Sequence, residues 1–153
     1  MQEIRNFFIV FNRRGIIVLL IAIFYHLKYF FYKNFFSFKY IKKKIYNFKM
    51  YLNLYDKGLS RTLILFGKRE LDHKIILEKV LKKNMNVFDI GANIGYYTLI
   101  QRQLIGFNGK ITAIEPVPDN IEILKKNLIL NNDTKTKVIE GAASNRSSYS
   151  NMY

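Results

Sequence analysis

The sequence predicts an α/β domain of the doubly wound kind, a parallel sheet with helical crossovers, entered through a hydrophobic and basic α-helical extension. Three observations predict it. Short apolar runs of strand length alternate with longer segments whose apolar residues recur at helical spacing. Turn residues punctuate each change of period, at Gly91, Asn108-Gly109 and Gly141. The first fifty residues differ in kind: they carry ten Lys/Arg against one acid, Glu3, which is +9 of the chain's net +14.

Composition bounds the answer further. The 153 residues are 50% hydrophobic and 24% charged, enough for one domain with a core and too apolar for a disordered chain. The absence of cysteine excludes a disulfide framework, a thiolate zinc site and a cysteine nucleophile. The two histidines, His26 and His73, have no metal-ligand spacing. Lys, Asn, Ile, Phe and Tyr are abundant together, the bias of an AT-rich coding sequence, so basic charge alone does not argue for nucleic acid.

The extension comes first. Gly15–Tyr25 reads GIIVLLIAIFY, eleven apolar residues behind Arg13 and Arg14. A bilayer span needs about 20, so the run is short unless Lys28 snorkels and the stretch continues to Tyr32. No small-x-small cleavage site follows it, which disfavours a signal peptide, and positive charge on both sides leaves orientation undecided. From Phe30 to Tyr55 aromatics interleave with lysines, a composition suited to an anionic membrane surface. The competing reading is a helical extension packed on the following domain. Nucleic acid is the weakest partner, because no binding motif accompanies the charge. Residues 1–55 are thus expected as an extension that anchors at a membrane, and the protein as cytoplasmic with membrane association through this segment.

The α/β elements follow. Asp72 opens a helix expected to reach about Lys83, with Ile76, Val80 and Leu81 at core spacing. Asn86–Ile90 (NVFDI) is a strand ended by Gly91, and Ile94–Ile105 a helix with Tyr97, Ile100 and Leu104 on one face. Lys110–Ile114 is a second strand. Pro118 and Asp119 open a helix that turns Ile121, Leu124 and Leu128 inward and stops at Asn131-Asn132. Lys137–Glu140 is a third strand. Strand–helix–strand–helix–strand at this spacing means a parallel sheet.

In such a sheet ligands bind beyond the carboxyl ends of the strands. The first end carries Asp89-Ile-Gly91-Ala-Asn93-Ile-Gly95, and the second carries Glu115. The glycines let a ligand approach the main chain, and a carboxylate at the second end can accept ribose hydroxyl protons. An adenosine-containing ligand follows. Asn93 stands where a dinucleotide site wants its second glycine, and Asp89 would repel a pyrophosphate. Both favour S-adenosyl-L-methionine over NAD, with Asp89 anchoring the charged amino-acid end.

At these residues the sequence resembles the FkbM family of methyltransferases. The matching stretches are VFDIGANIGYYTL (Val87–Leu99), ITAIEPVPDNIEILKKN (Ile111–Asn127) and VIEGAAS (Val138–Ser144), with Asp56–Glu70 similar to the family's lead-in. The resemblance covers about Asp56–Ser144. It implies a Rossmann-like, seven-stranded fold that methylates hydroxyl oxygens on saccharides or other small molecules. It further implies that Asp89, Gly91, Asn93 and Gly95 line the methionine and ribose side, that Glu115 holds the ribose hydroxyls and that Ala142 lies near the adenine. Asn145 stands where the family usually has an acid.

Residues 56–144 are expected to hold the N-terminal half of that sheet, with 145–153 a polar tail. The first strand would then keep an open apolar edge prone to mispairing. The alternative function is a non-catalytic, membrane-associated remnant or a cofactor-binding module without the acceptor half. No residue presents itself as a catalytic base, and no metal is implied.

Overall fold

The computed structural model describes residues 38–146 without a break, together with 16, 19–21, 23–32, 34 and 35. These fall into two compact units. One comprises Met1–Ile41 and Leu52–Arg69, the other Lys42–Tyr51 and Glu70–Tyr153.

In the first unit residues 23–32 are helical, and α1 spans Leu59–Phe66. Asp56 prepares α1 by accepting the N–H groups of Gly58 and Ser60, each at 2.7 Å. Gly67 ends it in a left-handed conformation (φ 69°) that seats its N–H on the Leu63 carbonyl. Leu63, Ile64 and Leu65 are buried, and Tyr29 donates to the Leu54 carbonyl. Among the described residues no helix is long and apolar enough to cross a membrane. The apolar run from Gly15 to Tyr25 lies partly outside the described residues, as does most of the polar tail.

The lysine-rich run forms a β-hairpin, β1 (Tyr40–Ile45) and β2 (Phe48–Asn53), turning at Tyr46-Asn47. Its residues 42–51 belong to the second unit. The strand signal is the strict alternation of Phe48, Met50 and Leu52, all buried, with Lys49, Tyr51 and Asn53.

The remaining elements of the second unit are α2 (Leu71–Val80), β3 (Asn86–Ile90), α3 (Tyr96–Ile105), β4 (Lys110–Glu115), α4 (Pro118–Leu130) and β5 (Lys137–Glu140). The strands form one parallel sheet in the order β3-β4-β5. Helices α3 and α4 pack on it. They bury Leu99, Ile100, Ile105, Ile121, Leu124 and Leu128 together with Ile111 and Ala113 of β4. Buried Arg102 staples the far end: it donates to Asp133 at 2.9 Å, to Thr136 at 3.1 Å and to the carbonyls of Gly106 and Gly109.

Three expectations need correcting. The extension is not helical as far as residue 55, since residues 40–53 form the hairpin and 42–51 of it belong to the second unit. Helix α2 ends at Val80, Asp72 lies in its first turn rather than at its cap, and it buries no residue. Ile76 and Val80 are 56% and 59% exposed, so the helical spacing marks an apolar face that the described residues leave uncovered. Helix α3 starts at Tyr96 rather than Ile94, since Asn93 (φ 50°) and Gly95 (φ 90°) are left-handed and cannot continue a helix. Among the described residues β3 pairs only with β4, and Phe88 and Ile90, which share one face of the strand, are 69% and 64% exposed.

Candidate functional site

Register brings the predicted residues together. Asp89 pairs with Ala113 and Ile90 with Ile114, so the Gly91–Gly95 loop emerges beside Glu115. Glu140 pairs with Glu115, and the Gly141 N–H donates to the Glu115 carbonyl at 3.0 Å, which sets exposed Ala142 at the same end of the sheet. Asp89, Gly91, Asn93, Gly95, Glu115 and Ala142 therefore all lie at the carboxyl ends of β3, β4 and β5 or in the loop joining β3 to α3.

The loop is held by its own hydrogen bonds. Gly91 and Ala92 both donate to the Ile114 carbonyl, at 2.9 and 3.0 Å. The Asn93 N–H donates to Glu115 Oε2 at 2.8 Å, the Ile94 N–H to Asn93 Oδ1 at 2.8 Å and the Gly95 N–H to the Ala92 carbonyl at 2.9 Å. Each of these five amides has an acceptor inside the protein. Gly95 is required twice over, by its positive φ and because a Cβ there would lie 2.7 Å from Leu124 Cδ1.

Both acids are buried. Glu115 Oε1 accepts the Val117 N–H at 3.1 Å and Asn120 Nδ2 at 3.0 Å, so its carboxylate already takes three hydrogen bonds. Asp89 Oδ2 accepts Thr98 Oγ1 at 2.5 Å. Burial pushes the Asp89 carboxyl above its ordinary range and the Glu115 charge adds to that, against hydrogen bonds from Thr98 and Gln101.

A cleft of about 350 Å³ opens beside Asp89, lined among others by Gln101, Ile76, Phe88, Ile90, Tyr97 and His73. Gln101 Oε1 is buried there without a hydrogen-bond partner among the described residues. Tyr97 donates to Glu70 at 2.6 Å and lies 3.3 Å from His73 Nδ1. His73 is thus held by its neighbours beside the unpaired side of β3.

Sequence reasoning missed Thr98, Gln101 and Asn120, the partners of the two acids. It also missed Asn127, which is fully buried in α4. Asn127 donates to the Ile94 carbonyl at 2.8 Å and accepts the Tyr51 N–H at 2.7 Å, tying the loop to the hairpin. Four residues on, Asn131 accepts the Lys49 N–H at 2.9 Å and donates to the Lys49 carbonyl at 2.7 Å. A pair of asparagines at i and i+4 on an amphipathic helix was the available signal.

The fold and the loop define a Rossmann-like methyltransferase domain. In fold the chain is similar to M. jannaschii TYW2 in complex with AdoMet, with a TM-score of 0.56, 20% identity, and 69% of this chain and 45% of that one covered. The profile of the protein-L-isoaspartate(D-aspartate) O-methyltransferase (PCMT) family matches residues 71–150. The chain belongs to that family.

Two curated relatives agree on methyltransferase. Protein-L-isoaspartate O-methyltransferase of Methanococcus vannielii is 36% identical over 61 residues, 40% of this chain and 29% of that protein. Ribosomal RNA large subunit methyltransferase E of Buchnera aphidicola subsp. Cinara cedri is 35% identical over 68 residues, 44% of this chain and 31% of that protein. The matched stretches span less than a third of either relative.

Proposed function

We propose that this chain carries the cofactor-binding part of an S-adenosyl-L-methionine-dependent methyltransferase that acts on a macromolecular acceptor. One observation carries the choice of donor: the amides from Gly91 to Gly95 are already paired within the protein, and two buried carboxylates flank them. A dinucleotide's pyrophosphate needs unpaired N–H donors at that place and would meet the Asp89 carboxylate. S-adenosyl-L-methionine has no phosphate, and its sulfonium and ammonium charges suit the carboxylates. When bound it supplies an electrophilic methyl group.

In this assignment Gly91, Asn93 and Gly95 let the main chain approach the methionine and ribose side, and Asp89 anchors the cationic amino-acid end. Glu115 takes a ribose hydroxyl through Oε2, which has a single donor, Asn93. Its Oε1 already has two, so a second hydroxyl shares Oε2 or displaces Asn120. Exposed Ala142 leaves room for the adenine. The protein's part in the reaction is to hold the methyl group in line with the acceptor, and much of the rate of such transfers comes from that positioning.

The family and the ribosomal RNA relative support a macromolecular acceptor. A saccharide or small-molecule hydroxyl rests on the FkbM resemblance alone. A membrane surface for residues 1–50 rests on their composition, and deleting residues 1–37, which leaves the hairpin in place, should then release the protein into the soluble fraction.

The test is calorimetric titration with S-adenosyl-L-methionine, with NAD as the competing ligand and Asp89→Asn and Glu115→Gln as variants. Saturable binding that weakens in both variants is expected, with no heat from NAD. Equal affinity for NAD would overturn the assignment.

A further inference from the structure

The hairpin segment Lys42–Tyr51 (KKKIYNFKMY) holds four lysines and no acid. Its alternation sorts them. Ile45, Phe48 and Met50 are buried, so Lys42, Lys44 and Lys49 stand exposed on the outer face. Half-buried Tyr51 shares that face, with Lys42 Nζ 5.5 Å from its ring centroid. Like charges gathered on two paired strands repel one another, and that cost is relieved when an anionic ligand covers them.

This ribbon is fixed beside the cofactor loop. Asn131 grips both backbone groups of Lys49, and Asn127 spans from the Tyr51 N–H to the carbonyl of Ile94, inside the loop. One side chain therefore separates the basic strand from the loop that ends at Gly95. A polyanion lying along Lys42, Lys44 and Lys49 would run on the strands that Asn127 ties, through Tyr51, to that loop.

Resting on the methyltransferase reading, we infer that this outer face is the acceptor-docking surface and that its ligand is single-stranded RNA. Repeated phosphates match a row of lysines, and Tyr51 offers a ring on which a base can stack. A membrane fits less well. Interfacial binding needs an apolar face to insert, and no large apolar side chain is exposed between Lys42 and Tyr51.

The experiment measures anisotropy of a short labelled oligouridylate with the full chain over a salt series. The variant Lys42→Gln/Lys44→Gln/Lys49→Gln is compared with the matching Arg variant and with Lys125→Gln/Lys126→Gln on α4. The Gln triple should bind more weakly and lose about 2 from the slope of log affinity against log salt, since each phosphate contact on a single strand contributes roughly 0.7. The Arg triple and the α4 pair should retain the wild-type slope. An unchanged slope in the Gln triple, tighter binding of a polyglutamate peptide, or capture by anionic vesicles in place of RNA would each overturn the inference. The readout needs no cofactor, so RNA binding without S-adenosyl-L-methionine binding removes only the methyltransferase reading. The reverse result removes only this one.

Discussion

Replacing Asn127 by alanine should be among the most damaging single changes in the second unit. The side chain is fully buried and makes two short bonds to backbone groups, the Tyr51 N–H at 2.7 Å and the Ile94 carbonyl at 2.8 Å, beside a longer one to the Tyr51 carbonyl at 3.4 Å. Alanine leaves both without a partner, and an orphaned buried polar group costs about 1–3 kcal/mol. Ile94 is buried while Tyr51 is half-buried, so water can partly restore the second group but not the first. The sum is roughly 2–5 kcal/mol, a large share of the about 5–15 kcal/mol that holds a domain folded. Asn131→Ala is the control. It also removes two bonds to β2, but to Lys49, which is exposed. Water substitutes there, and the loss should stay near 0.5–1.5 kcal/mol, roughly the net value of an ordinary hydrogen bond. Urea unfolding followed by circular dichroism gives both values. Equal costs for the two variants, or less than about 1 kcal/mol for Asn127→Ala, would refute the reasoning that burial of the loop carbonyl decides the outcome.

Gly95→Ala should destabilise by roughly 2–5 kcal/mol, combining left-handed strain with overpacking against buried Leu124. Gly91→Ala, with positive φ but no atom within 4 Å of the new Cβ, should cost only about 1–2 kcal/mol of strain in the same unfolding assay. Asp133 is held below its ordinary 3.8: burial opposes this, but hydrogen bonds from Arg102, Thr136 and the Lys135 N–H, with the Arg102 charge, outweigh it. Its stabilisation is therefore present above the unfolded value and is lost as pH falls through the folded one. Asp133→Asn should remove that acid-limb loss in melting points taken across the range. Asp89 has the opposite sign. Raised chiefly by burial above 3.8, it favours the folded state below that pH and loses the benefit as pH rises through its folded value. Asp89→Asn should flatten this fall, and a variant that declines as steeply as wild type would contradict it. Finally, Ile90→Lys on the unpaired strand should reduce self-association in sedimentation velocity without lowering the melting point.

The parallel sheet was legible because strands β3, β4 and β5 are short apolar runs cut by turn residues, a pattern set by local chemistry. β3 and β5 fall on the expected residues, and β4 extends one further, to Glu115. The inward stripe of α4 was equally plain, since Ile121, Leu124 and Leu128 recur at helical spacing and are buried. Helix α2 misled for the same reason: periodicity marks an apolar face but does not say whether anything covers it. The lysine-rich hairpin was obscured by charge, which drew attention to possible partners and away from the two-residue alternation of Phe48, Met50 and Leu52. At the site, Asp89, the glycines and Glu115 stood out because the sequence motif is local. Thr98 and Gln101 meet Asp89 only when α3 folds back on β3, and Asn127 meets Tyr51 and Ile94 only across the tertiary fold, whereas Asn120 lies five residues from Glu115 and was within local reach.

The asparagine clasp on α4 also has a consequence for how the chain is made. Its bonds to β2 join residues 76 and 82 positions apart. A ribosome adding about 5–20 residues per second delivers β2 on the order of 4–15 s before the helix that receives it. During that interval Phe48 and Met50 have no α4 to fasten their strand. The nascent hairpin is therefore a natural client for chaperones, and its lysines help keep it dissolved until its seat arrives.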